Sequence, residues 1–137
     1  MNAETPSPAD RAAFDRALGQ IRADHAALRH LAVAVCRRPG RSADNALSLV
    51  DAVTAHENAE ARLFALPFLT RPPATVTASA ARARRRCLEY STASDRLPNA
   101  SAAAAVFADA LLVHLAVEDA WLAEEAKQHH ERLLQSI

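Results

Sequence analysis

From Phe14 onward, apolar side chains return every three or four residues: Phe14, Leu18, Ile21, Leu28, Ala32 and Val35, with His25 taking the one remaining step. That period belongs to a helix with a single buried face. A second walk passes Ala46, Leu49, Val53, His56, Glu60 and Leu63. A third passes Val76, Ala80, Ala83, Cys87, Tyr90, Ser94 and Leu97, and a fourth Ala104, Phe107, Leu111, His114, Glu118, Trp121 and Glu125. The pattern predicts four helices and no strand.

The breaks between these walks carry the residues that start and stop helices. Pro8-Ala9-Asp10 opens the first, and Arg37-Arg38-Pro39-Gly40-Arg41 closes it, with cations in the last turn and then Pro and Gly. Ser42 or Asp44 can cap the second, which should run to about Leu66 before Pro67 and Arg71-Pro72-Pro73. The third should start at Thr75 or Thr77. Asn99 or Ser101 can cap the fourth, after Pro98, and its polar end beyond Lys127 is expected to fray. Short connections make neighbours in sequence run antiparallel, so the expected fold is all-α, an up-down-up-down antiparallel four-helix bundle. Residues 1–8 are expected to form a flexible N-terminal arm and 9–137 a single domain.

Composition agrees. The chain has 137 residues, the size of one domain. It is rich in Ala and Leu, with only 4% aromatic residues and two Gly, a balance that favours helix over sheet. Formal net charge is zero, which gives no electrostatic reason for a nucleic-acid or acidic-membrane partner. Cys36 and Cys87 are too few for a disulfide framework. The first residues lack a basic stretch followed by an apolar run, and no uninterrupted apolar run has transmembrane length. The expected location is cytoplasmic.

The informative residues are the polar ones that fall in the apolar seams. His56 and Glu60 are four apart on one helix face, and His114 and Glu118 repeat that spacing on another. An unpaired carboxylate in a core costs several kcal/mol, roughly, so something must satisfy it. Either a metal ion does so, or the His and Glu side chains bond one another. Counting a rise of about 1.5 Å per residue from the helix ends, His25, His56, Glu60, His114 and Glu118 reach comparable depth and can meet in one layer. Imidazole with carboxylate suits iron, zinc, manganese or cobalt.

These residues carry a resemblance. Asp24-His25-x-x-Leu28, then His56-x-x-x-Glu60 followed by Leu63-Phe64 and Pro67, then His114-x-x-x-Glu118, resemble the hemerythrin-like, HHE cation-binding family over about residues 15 to 125. The resemblance implies a carboxylate-bridged di-iron centre in a four-helix bundle that binds or senses dioxygen, or acts in nitric-oxide, peroxide or iron biology. It implies His25 and His56 as terminal ligands of one metal, Glu60 and Glu118 as bridges, and His114 as a ligand of the second.

The third helix departs from that family. No His stands between His56 and His114, where the family supplies one or two. The depth count puts Ala83 and Cys87 at that level, with Tyr90 one step further. Cys87 could ligate as thiolate and Tyr90 as phenolate, but a buried Cys or Tyr is more often core. Two carboxylates also balance one divalent ion and not two. The expectation is therefore a single iron held by His25, His56, Glu60 and Glu118, with His114 as ligand or hydrogen-bond partner. A di-iron site is the second choice, with zinc or manganese as other metals. Binding of a small diatomic ligand or peroxide, or redox or metal sensing, is the expected role. A metal-free interaction module and a weak oxidase or peroxidase are the alternatives.

Other motifs lead nowhere. His56-Glu57 begins a zinc-peptidase motif, but Glu60 stands where its second His belongs. His30, His129 and His130 are expected to be solvated, the last two able with Glu125 to take an adventitious surface metal. Arg82 and Arg84-Arg85-Arg86 read as a solvated helix face or a partner-binding patch.

Overall fold

A computed structural model of the chain describes residues 7–39, 42–66, 71–93 and 99–135, with side chains described over 7–39, 48–66, 71–93 and 99–131. Those residues form four helices, α1 (Pro8–Arg37), α2 (Ser42–Phe64), α3 (Ala74–Ser91) and α4 (Asn99–Gln135), and among them there is no strand. Contacts join α1 to α2, α2 to α3, α3 to α4 and α4 back to α1, consistent with a bundle. Most of the expected N-terminal arm, the side chains of Ser42, Asp44 and Ala46, and residues Ser94 and Leu97 lie outside what is described.

The start of α1 is fixed by local chemistry. Ser7 Oγ accepts from the Asp10 amide at 3.1 Å, and the Ser7 amide donates to Asp10 Oδ2 at 3.0 Å. This reciprocal capping box, with Pro8 where its missing N–H costs nothing, satisfies amides that the helix leaves unpaired. At α3 the Pro73 carbonyl receives the amides of Val76 and Thr77, so that helix begins at Ala74, just ahead of either expected Thr.

The seam of α1 is buried as read, from Phe14 through His25 to Val35. In α2, Leu49, His56, Glu60 and Leu63 are buried and Val53 is half-buried. In α3, Val76, Ala83, Cys87 and Tyr90 are buried. In α4 the stripe is wider than the walk, taking in Ala108, Leu115 and Leu122 beside Phe107, Leu111 and His114. Trp121 is only half-buried, its ring edge-on to Phe64 at 5.3 Å.

The apolar core comes in two parts. One is built from Leu28, Val35, Leu49, Tyr90, Phe107 and Leu111, with Cys87 among them. The other is built from Phe14, Leu18, Ile21, Ala59, Leu63 and Leu122. Along α1 the single step between the two groups is His25, and along α4 the step between Leu111 and Leu122 holds His114 and Glu118. A polar layer thus sits between two dry ones, with α3 contributing to only one of these. Helix α4 is assigned to Gln135, and Glu125 and His129 near its end are buried.

Candidate metal centre

Each of the polar seam residues is almost wholly excluded from water: His25, His56, Glu60, His114 and Glu118. His56 and Glu60 face the same way from successive turns of α2, as do His114 and Glu118 from α4. One ligand atom from each of these four residues lies within 4.8 Å of the others. Donors at about 2.1 Å from a cation stand about 3 Å apart when adjacent and about 4.2 Å when opposite. The four atoms thus stand slightly wider than a metal would draw them, and the group could hold a metal ion.

Glu118 is the hub. Its Oε1 lies 2.9 Å from His25 Nε2 and 3.3 Å from His56 Nε2, and its Oε2 lies 3.3 Å from His114 Nε2. Glu60 Oε1 touches His56 Nε2 and lies 3.4 Å from His114 Nε2. All three histidines therefore turn Nε2 inward. His25 joins through Glu118, its ring centre 4.9 Å from that of His56.

What stands behind the Nδ1 atoms is the part of the site that the seams did not announce. His25 Nδ1 donates to Asp119 Oδ1 at 2.5 Å, and Asp119 in turn accepts from Arg29. His114 Nδ1 lies 2.9 Å from Ser79 Oγ, whose own hydroxyl donates to the Val76 carbonyl at 2.9 Å. The hydroxyl proton is used there, so Ser79 accepts from His114 Nδ1, and once the ring loses its second proton the lone pair falls on Nε2. His56 Nδ1 has only Asp24 Oδ2, at 3.8 Å, and Asp24 is itself held by Gln20. Imidazole that donates from one nitrogen to an outer acceptor and offers the other inward is the arrangement that orients a metal ligand.

Hydrogen bonding among the inner atoms is poor despite their closeness. Neither ring nitrogen of His56, nor Glu118 Oε2, meets a partner with hydrogen-bond geometry. Buried polar atoms left this way are uncommon in folded proteins. Aimed at one point, they could hold a cation.

The electrostatics are those of paired charges. Burial alone would lower the basicity of His56, but the Glu118 and Glu60 carboxylates beside it outweigh this and push its pKa up to about 10. Burial likewise opposes, and the same carboxylates reverse, the shift of His114, which rises to about 9. Burial would raise Glu118, yet His114, His25 and His56 hold it well below the usual carboxylate range. Without a metal, two imidazolium ions balance two carboxylates. A divalent cation would take over that role.

The third helix meets this layer through Ser79, not through Ala83 or Cys87 as the depth count expects. Helix α3 begins close to the layer, so its level falls in the first turns, which a count from the far end misses. Cys87 lies two turns beyond Ser79, about 12 Å along the axis, in the apolar cluster. Burial, then the charge of Glu57, pushes its thiol up to about 11, opposite to what a thiolate ligand needs. Tyr90 stacks on Phe107 at 6.2 Å in the same cluster. Neither belongs to the four-atom group.

Of the histidines set aside, His30 and His130 are exposed. His129 is not. It is buried, with its ring 4.8 Å from that of Phe14, and follows the buried Glu125 by one turn. The stripe on α4 continues through both, a continuation hidden by the polar letters around them. No protein-family model, curated protein or solved structure matches this chain.

Proposed function

We propose that the chain is a hemerythrin-like metal-binding protein that holds one non-haem iron, or another divalent metal, and uses it to bind a small ligand or to report redox state. The observation carrying this reading is the convergence of His56, Glu60, His114 and Glu118 on one buried point, with His25 and His114 each oriented by an outer acceptor. An antiparallel up-down bundle is part of the proposal. It is supported by pairs whose numbers run in opposite senses: Phe14 with His129 and His25 with Glu118, Ser79 with His114 and Tyr90 with Phe107.

One metal is favoured over two by charge. Asp119 is neutralised by Arg29 outside the layer, which leaves Glu60 and Glu118 as the two inner negative charges, and the third helix adds none. A bound ferrous ion would supply an electron-rich centre with open positions for dioxygen, nitric oxide or peroxide. The chain's own residues bind and orient: His56, Glu60, His114 and Glu118 as ligands, His25 as a ligand or as the donor that holds Glu118. The apolar clusters on either side keep bulk water out. Anaerobic ferrous loading followed by elemental analysis tests the reading. About one iron per chain is expected, and a chain that takes up none overturns it.

A second reading has its own support. The metal-free layer is already charge-balanced, because His56 and His114 hold their protons. On that reading the chain is a helical interaction module whose core polar layer fixes the register of the helices. It predicts full stability and no change in melting temperature on adding ferrous, zinc or manganese ions.

A further inference from the structure

Helix α4 is apolar on its outward side as well as its inward one. Between Ala102 and Ala123 nine residues are exposed, and eight of them are Ala, Val or Leu. Val106, Leu112 and Val113 are among them, each more than 40% open to water. The one charge is Asp109, which keeps Arg82 of α3 as a counter-charge at 3.9 Å. On the other helices exposed charges recur, among them Arg16, Arg29, Asp51, Arg62, Arg85 and Glu89. A helix that is apolar all round is ordinarily covered all round, yet the bundle covers one side of α4. The bare strip is about 30 Å long and gives way at Glu124 to the exposed Lys127 and Glu131.

Lipid is a poor cover for that strip. By length and composition α4 could cross a membrane, but 44% of its most apolar 18-residue stretch is already buried, and His114 and Glu118 tie its inner side to the polar layer. A helix that lies flat in a lipid surface carries Lys or Arg beside its apolar face and large aromatic side chains on it. Helix α4 has no Lys or Arg before Lys127 and no aromatic residue within the strip.

A second copy of the strip fits. Turned antiparallel about a two-fold axis between Leu112 and Val113, the strip sets Ala102 opposite Ala123, Ala105 opposite Ala120, and Leu112 opposite Val113. Alanines towards both ends let the backbones approach to about 8 Å, while the larger side chains interleave near the middle. Asp109 falls opposite Ala116 and keeps its own Arg82. The two Asp109 carboxylates then stand roughly 10 Å apart along the axis, whereas a parallel pairing would bring them face to face. Covered fully, nine side chains exposed to this degree withdraw roughly 1,000 Å² from water over both copies, the lower limit of a specific interface.

We propose that the outward face of α4 is the interface of a homodimer in which two α4 helices pack antiparallel across a two-fold axis. It depends on nothing in the metal-binding reading, because His114 and Glu118 lie on the opposite side of the same helix. The contact is isologous, so two copies satisfy each other and no open filament grows from it. Its modest area makes the dimer a reversible one.

Sedimentation velocity of the full chain from about 1 to about 500 µM tests the association. A concentration-dependent monomer–dimer equilibrium is expected, weakened at least tenfold in Leu112→Glu and in Ala116→Glu at unchanged helix content. Oxidative cross-linking tests the geometry and needs no destabilising change. With the exposed Cys36 replaced by Ser, Leu112→Cys should join two chains readily, because the axis passes beside it. Ala102→Cys should not, since the two copies of that residue stand about 30 Å apart. A chain that stays monomeric over the whole range overturns the proposal, as does a dimer that both Glu variants leave at full strength. Cross-linking through Ala102→Cys as efficient as through Leu112→Cys overturns it too. A monomer that floats with phosphatidylcholine vesicles, and ceases to in Leu112→Glu, would give the face to lipid instead.

Discussion

Ser79 accepts a hydrogen bond from His114 Nδ1 at 2.9 Å while donating its own proton to the carbonyl of Val76. That arrangement allows one tautomer of the neutral His114 ring, the form that binds a metal, and points Nε2 at Glu60 and Glu118. Ser79→Ala leaves the ring free to turn and its Nδ1–H without an acceptor. Loss of an outer partner of this kind typically lowers metal affinity roughly 10- to 100-fold. Chelator competition should show that loss, with Ser79→Thr recovering most of it. An unchanged affinity would mean that His114 is held by packing alone.

Asp119 does for His25 what Ser79 does for His114, with a charge. Asp119→Ala removes the acceptor from a buried imidazole and is expected to cost about 1–3 kcal/mol of stability. Arg29→Ala breaks only an ion pair between two half-exposed groups, and should cost about 0–1 kcal/mol. Denaturant unfolding of the two variants beside the parent gives both numbers. The order matters more than the values: if Arg29→Ala costs as much as Asp119→Ala, the chain from Arg29 to His25 acts as one unit.

These two residues also mark the limit of what the letters disclose. All seven seam positions of α1 can be read from spacing, because one well-defined face is buried and the period never slips. The inner residues are visible for the same reason: His and Glu are conspicuous where Leu is expected. Ser79 and Asp119 sit at the edges of their faces, half in solvent, where a polar residue is unremarkable. Ser79 can be identified only once the offset of α3 against α4 is known, and a three-four walk does not carry that offset. His129 was hidden differently. Its neighbours Gln128 and His130 are exposed, so the end of the apolar stripe looks like polar sequence although one face stays buried.

Titration of the layer fixes the pH range of the metal-free protein. His56 and His114 bind protons more tightly when folded than their ordinary 6.5, with values of about 10 and 9. Their contribution to stability is therefore complete below pH 6.5 and disappears as pH climbs through 9 to 10. Glu118 shifts the other way from 4.5, so its contribution is complete above that value and is lost as pH falls below it. The apo protein should be most stable between pH 4.5 and 6.5. Melting temperatures from pH 3 to 10 (roughly, the span the three shifts cover) check this, and a maximum above pH 8 (about where His114 begins to lose its proton) would contradict it.

The same protonation decides what a metal must displace. Ligation needs neutral imidazole, yet at neutral pH the metal-free His56 and His114 are both protonated, since their values stand at about 10 and 9. Binding one divalent ion to both should therefore release approximately two protons per metal at pH 7. Indicator dye in weak buffer during ferrous or zinc titration reads that number directly. Release should fall as the pH is raised through 9, because the histidines arrive already neutral, and affinity should rise over the same interval. A metal that binds at pH 7 without releasing protons is not seated on His56 and His114. It would then belong to some other set of donors, and the inner layer would be the closed ion-pair network of the second reading.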